Sequence, residues 1–238
     1  MNRNSSVTLQ FTCYRDDQVF LSEATIDQLV LAGWTGRNPQ AIEQHILELE
    51  AIGIPRPTSI PSFYSVSAQL LTITNVIKVD ASQSSGEVEI VVLTLPDGLW
   101  IGVGSDHTDR ALERQDILHS KQVCAKPMAS KLWYFGDLTR HWDQLLLRSF
   151  LVKDGERHLY QEDSVASLQK PEYLIEAYAD AGKSLSIGSA LFCGTLPAKQ
   201  HIVNSVGFEI QLLDPILNRS IEHRYHVTGN SISCESHW

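Results

Sequence analysis

The stretch Ser85-Gly86-Glu87-Val88-Glu89-Ile90-Val91-Val92-Leu93 joins a run of aliphatic, mostly β-branched residues to two carboxylates at its start. Strand side chains alternate between faces, so Glu87 and Glu89 share a face with Val91 and Leu93. Two readings follow. A strand entering from solvent keeps both carboxylates hydrated, the usual state of charged residues. At the edge of a core, by contrast, two like charges on one face need a cation to offset their repulsion and lost hydration.

A third oxygen donor nearby would favour the second reading. Leu99-Trp100-Ile101-Gly102-Val103-Gly104-Ser105 reads as an apolar strand, and Asp106 stands where it leaves the core. The same residue also reads as an aspartate opening a turn. Three carboxylates completed by water would suit Mg²⁺ or Mn²⁺ rather than zinc. Gly102-x-Gly104 lacks a third glycine opening a helix and is not read as a nucleotide loop.

Upstream, Asn38-Pro39-Gln40 opens a segment whose apolar residues Ile42, Ile46, Leu49 and Ile52 recur at helical spacing, with Asn38 as N-cap and Gly53 at the end. His45 and Glu48 share one face of this helix, either as an exposed pair or as a histidine base oriented by a carboxylate. Val7–Tyr14 and Val19–Leu21 read as an N-terminal hairpin around Arg15-Asp16-Asp17-Gln18. Leu70–Val79 reads as one strand, and Asp154-Gly155 between apolar flanks marks a second hairpin. Further helices are expected around Leu138–Leu147 and Lys170–Ala181. Short strands with few helices predict a β-rich α+β fold.

The chain has 238 residues, 43% of them hydrophobic and 20% charged, which suits one domain with an extension. A net charge of −9, with the 19 basic residues scattered, argues against a nucleic-acid partner. Cys13, Cys124, Cys193 and Cys234 form no CxxC pair and read as reduced thiols. Neither a signal peptide nor a membrane span is evident, so a cytoplasmic protein is expected.

In their order along the chain, these pieces resemble the fumarylacetoacetate hydrolase superfamily from about Ala32 to Val227, in a divergent bacterial branch. Gln40–Val66, QAIEQHILELEAIGIPRPTSIPSFYSV, is similar to the family's Y-x-x-H-x-x-E segment and the Pro-containing stretch after it, with His45 and Glu48 in the motif positions. SGEVEIVVL resembles a strand of the type YEAELAVVI, which implies Glu87 and Glu89 as metal ligands. IGVGSDHTDRALE resembles G-x-x-x-x-N-D-V-S-A-R-D and implies Asp106 as the third. SKQVCAKP is similar to a longer A-K-G-F-D-x-x-C-P and puts the family's lysine at Lys121. LSIGSALFCGTLP resembles L-x-P-G-D-V-I-L-T-G-T-P, carrying Gly194 and Thr195 into the substrate loop. The departures surround the substrate: Ile42 replaces a tyrosine, Phe63-Tyr64-Ser65-Val66 lacks a lysine, and Glu113 stands where many relatives have a glutamine.

The resemblance implies a mixed β-roll over 32–238, preceded by an N-terminal β extension over 1–31, usually as a homodimer. It implies a Mg²⁺- or Mn²⁺-dependent hydrolase that cleaves a C–C bond in a 2-oxo acid or acylpyruvate-like 1,3-dicarbonyl carboxylate. His45 and Glu48 would activate water, Lys121 would stabilise the enolate, and Gly194 and Thr195 would hold the substrate. The same site could instead serve a decarboxylase, another lyase or an isomerase, and a non-catalytic metal-stabilised binding protein is a further alternative.

Overall fold

Val7–Arg15 and Gln18–Ile26 pair antiparallel along their whole length, and Asp16 in the turn between them takes the left-handed conformation at φ 49°. An aspartate tolerates that conformation better than most residues. The computed structural model, which describes residues 6–51, 56–79, 83–199 and 207–229, ties this hairpin into the main sheet through parallel pairing of Val7–Arg15 with Lys131–Tyr134. The sheet has eight strands, in the order Gln18–Ile26, Val7–Arg15, Lys131–Tyr134, Gly98–Ser105, Val88–Leu95, Ser189–Thr195, Gln28–Gly33 and Ser62–Val66. A second sheet of five strands runs Glu156–Ser164, Leu146–Lys153, Gly207–Asp214, Arg219–Thr228 and Val76–Lys78. Its first two strands form the hairpin expected at Asp154-Gly155, where both residues have positive φ.

The Val88–Leu95 strand is buried on both faces. Val88, Ile90 and Val92 pack between the sheets with Ile101, Val103, Leu147 and Ile210. Val91 and Leu93 face Leu9, Phe11, Leu132 and Phe192, residues from strands across the same sheet, which therefore curls on itself. Each such aliphatic side chain removed from water contributes about 1.5–3 kcal/mol. The curl also accounts for Gly104, because a Cβ there would lie 2.7 Å from both Val91 and Phe192. Close sheet packing, not phosphate binding, requires that glycine.

The Pro39–Ala51 helix begins as its sequence directs. Asn38 Oδ1 accepts from the Gln40 and Ala41 N–H groups at 3.0 and 3.2 Å. Its Ile46 is buried, and the expected end at Ile52-Gly53 lies outside the described residues. The Pro171–Asp180 helix matches the last helical expectation and buries Leu174 and Tyr178.

Two expectations fail for identifiable reasons. Leu138–Leu147 is not a helix: a 3₁₀ turn at Phe135–Asp137 and another at Trp142–Gln144 bury Leu138, Trp142 and Leu145, and a strand starts at Leu146. That strand pairs on both sides, and sheet pairing overrides the local helical spacing. The single strand expected over Leu70–Val79 breaks into Leu71–Thr72 and Val76–Lys78, with Leu70 ending a 3₁₀ turn. Between them Thr72 Oγ1 accepts from the Thr74 N–H, and Thr74 Oγ1 donates to the Val76 carbonyl, local bonds that replace ladder bonds.

Cys13, Cys124 and Cys193 are buried free thiols, and Cys234 lies outside the described residues. Among the described residues no helix is long and apolar enough to cross a membrane.

Candidate functional site

The ends of two antiparallel neighbours bring the carboxylates together. Val88–Leu95 pairs with Gly98–Ser105 so that Val88 lies opposite Ser105, which sets Glu87 beside Asp106 at the strand ends. The Asp106 N–H donates to the Glu87 carbonyl at 2.9 Å, and the Glu87 N–H donates to Ser105 Oγ at 3.1 Å. Glu89 lies one alternation further in. Glu87, Glu89 and Asp106 each present an oxygen within 4.8 Å of the other two, with Glu89 and Asp106 buried.

On the far side of Glu89, the Ser189–Thr195 strand breaks register between Phe192 and Thr195. Gly194 occupies the break at φ 90°, and its N–H donates to Glu89 Oε2 at 2.8 Å. The space for a Cβ at Gly194 is filled by Thr35. Thr195 sits beside the carboxylates, but its hydroxyl donates to the Val88 carbonyl at 2.9 Å and accepts from Gln161 Nε2 at 2.9 Å. In this arrangement its one proton braces the strand instead of facing a ligand.

Three cations oppose the acids. Lys121, on the short Ile117–Gln122 helix capped by Asp116, donates to Asp106 Oδ2 and reaches Glu87 Oε2 at 3.4 Å. Arg110, in a turn capped by Asp109, pairs with Glu87 Oε1 at 2.9 Å and Glu113 Oε2 at 2.8 Å. Lys126 is fully buried, with Nζ 2.9 Å from Asp106 Oδ1 and donating to the His107 carbonyl at 2.7 Å. The contact with Oδ1 is a buried ion pair, so both Asp106 oxygens face an ammonium group.

The electrostatics of the three acids diverge. Burial pushes Asp106 up, but Lys121 and Lys126 outweigh it and hold the carboxyl at about 2. Glu87 is likewise held below the usual carboxylate range, because Arg110 and Lys121 outweigh its burial. Glu89 is raised well above that range, first by burial and then by repulsion from Asp106 and Glu87. The protein's own cations thus favour the charged form of Asp106 and Glu87 but do not outweigh burial and repulsion at Glu89.

His45 and Glu48 lie apart from this cluster, on the Pro39–Ala51 helix. Their side chains are 61% and 60% exposed, with His45 Nδ1 3.8 Å from Glu48 Oε2. The imidazole leans on Trp34 at 5.6 Å between ring centroids, and Trp34 precedes the Thr35 that packs on Gly194.

Sequence reasoning missed Arg110, Lys126 and Gln161. Arg110 lies inside the motif that places Asp106. Lys126 carries one available signal, a lone charge within Val123-Cys124-Ala125-Lys126-Pro127-Met128. Gln161 lies on the strand after the Asp154-Gly155 turn, and sequence reasoning assigned it no role.

The family model that matches the chain describes a protein of unknown function, DUF2848, and covers residues 32–225. No curated protein matches the chain. Solved structures do match. One is a protein from Oleispira antarctica provisionally described as a fumarylacetoacetate isomerase/hydrolase, with TM-score 0.63 and 17% identity over 91% of this chain and 99% of that one. The 5-carboxymethyl-2-hydroxymuconate delta-isomerase of Mycobacterium smegmatis gives TM-score 0.58 and 15% identity over 86% and 79%. A 2-keto-3-deoxyarabinonate dehydratase gives TM-score 0.62 and 11% identity over 91% and 86%. At these identities the likeness is one of fold, and the fold is the β-roll of the fumarylacetoacetate hydrolase type that the order of motifs implies. The matched segment contains all three carboxylates and the cations around them, and the chain belongs to the DUF2848 family.

Proposed function

We propose that this protein is a divalent-metal-dependent enzyme that cleaves a C–C bond hydrolytically in a 2-oxo acid or an acylpyruvate-like 1,3-dicarbonyl. The observation that carries this reading is the convergence of Glu87, Glu89 and Asp106 within 4.8 Å. Their donor set fits a hard ion, since every ligand atom is a carboxylate oxygen. Bound there, Mg²⁺ or Mn²⁺ would supply Lewis-acid stabilisation of an enolate.

The chain's own groups supply the rest. Lys121 brings an ammonium to the same point, where it would favour negative charge growing on a substrate oxygen. The Gly194 N–H fixes the rotamer of Glu89. His45 would take a proton from water at Nε2, with Nδ1 turned toward Glu48. With both side chains about three-fifths exposed, that step requires the Pro39–Ala51 helix to close over the carboxylates.

One observation favours a second reading. Because His45 lies on the exposed helix face, a lyase that forms its enolate by losing CO₂ or water would need no water-activating base. A homodimer in the cytoplasm belongs to the same proposal.

The test is a panel of 2-oxo acids and acylpyruvates with Mg²⁺ or Mn²⁺, scored for pyruvate-like products and for CO₂. Release of pyruvate from an acylpyruvate, lost in Glu89→Gln and on chelation, is the expected result. Turnover that persists under both conditions would overturn the metal reading, and CO₂ without hydrolysis would select the lyase.

A further inference from the structure

We propose that Lys126 makes the divalent cation and an anionic substrate bind this site cooperatively, and that it thereby selects substrates carrying a carboxylate. The inference rests on the metal reading above and adds a specificity-determining residue to it.

Lys126 differs from an ordinary basic neighbour in having nowhere else to go. Its side chain is fully buried, its backbone is paired with Leu71, and its Nζ is held between Asp106 Oδ1 at 2.9 Å and the His107 carbonyl at 2.7 Å. A surface lysine can swing into water when a metal arrives, whereas this one stays against a ligand carboxylate. Its positive charge is therefore a fixed part of the site.

The charge count then decides what the site accepts. With all four carboxylates ionised, as coordination of a metal requires, Glu87, Glu89, Asp106 and Glu113 supply four negative charges, and Arg110, Lys121 and Lys126 supply three positive ones, so the protein groups sum to −1. A divalent cation alone takes the site to +1. Adding one carboxylate brings it to zero. Without Lys126, the cation alone would already bring the site to zero. Uncompensated charge in a buried site is costly, so Lys126 moves the neutral state from the metal-loaded site to the site loaded with metal and anion. Linkage then makes the effect reciprocal, each ligand tightening the other by the same factor.

The experiment is a Mn²⁺ titration of the metal-free protein, with and without oxamate, a monoanionic 2-oxo acid analogue, on wild type and Lys126→Met. In wild type, oxamate is expected to tighten Mn²⁺ binding about tenfold or more, within the usual range of coupling between sites. Lys126→Met is expected to bind Mn²⁺ alone about tenfold tighter than wild type, with the oxamate effect reduced by a similar factor. Wild-type values for both quantities in Lys126→Met would overturn the proposal. Should that variant fail to fold, wild type alone decides by comparison of oxamate with the neutral pyruvamide. Enhancement by the anion only supports the proposal, and equal enhancement by both overturns it. Mn²⁺ binding that is indifferent to oxamate overturns this inference and leaves the metal reading standing. Absence of Mn²⁺ binding under every condition, or its survival in Glu89→Gln, overturns the metal reading itself.

Discussion

The Gly194 N–H meets Glu89 Oε2 at 2.8 Å from a break in the strand register that only glycine can occupy, since Gly194 has φ 90° and Thr35 fills the space beside its Cα. Burial and two neighbouring acids already press on Glu89, so this backbone donor is a large part of what orients it. Gly194→Ala should therefore cost about 2–4 kcal/mol in urea unfolding, from backbone strain together with the collision at Thr35. Adding Thr35→Gly removes the collision but not the strain, so it should restore only part of the loss. Full restoration would mean that φ at position 194 carries no cost.

Gln161 is the buried brace behind the same corner. Its Oε1 accepts from the Val88 N–H at 3.1 Å and Ser149 Oγ at 2.8 Å, and its Nε2 donates to Thr195 Oγ1 at 2.9 Å and the Leu196 carbonyl at 2.6 Å. All four positions of the amide are filled, and they tie three strands and the loop after Thr195 together. Gln161→Leu keeps the volume but strands the Val88 N–H and the Leu196 carbonyl, so a loss of about 3 kcal/mol is expected in chemical denaturation. A loss below 1 kcal/mol would show that water replaces the amide.

How much of this was legible follows from what periodicity can carry. The aliphatic run after Glu89 marks the central strand, and the family resemblance carried by the order of the segments implies Glu87, Glu89 and Asp106 as ligands. Lys126 shows only a lone charge in an apolar run, because its role depends on contacts with Asp106 and the His107 carbonyl that no local pattern encodes. Gln161 was hidden for the same reason, as one polar residue among several on a hairpin strand. Leu138–Leu147 misled because leucines buried in 3₁₀ turns and a strand can fall at helical spacing when partners lie on different sides.

Stability in acid should depend on Asp214, which is not part of the carboxylate cluster. Its Oδ1 accepts from the Ile216 and Leu217 N–H groups at 3.1 and 3.0 Å, and Oδ2 accepts from His141 Nε2 at 3.1 Å and Arg219 Nε at 3.2 Å. Burial pushes this carboxyl up, but the Leu217 N–H, His141 and Arg219 together hold it below the usual value of 3.8. A folded-state value below the unfolded one stabilises the protein above the unfolded value, and that contribution is lost as pH falls through the folded one. Asp214→Asn should thus be less stable than wild type at neutral pH by about 1–3 kcal/mol, with the gap closing as pH falls below the unfolded aspartate value of about 3.9. A gap that stays constant over that window would assign the loss to packing alone.

His45 gives the sharpest separation between binding and chemistry. It stands on an exposed helix face, touching Trp34 and facing Glu48 at 3.8 Å, and its removal opens no cavity in the core. His45→Ala should therefore melt within a degree or two of wild type and bind Mn²⁺ as wild type does. If the imidazole is the base for water, kcat should nonetheless fall by about 10²–10⁴ on the substrate that the panel identifies, the usual range for a positioned base. Glu48→Gln should fall less, since it weakens the orientation of His45 without removing the proton acceptor. A lyase would respond differently: kcat for CO₂ or water release would survive His45→Ala, while Glu89→Gln would still abolish it. The ratio of the two losses in one preparation thus assigns the reaction class, because stability and metal affinity are held constant across the histidine variant.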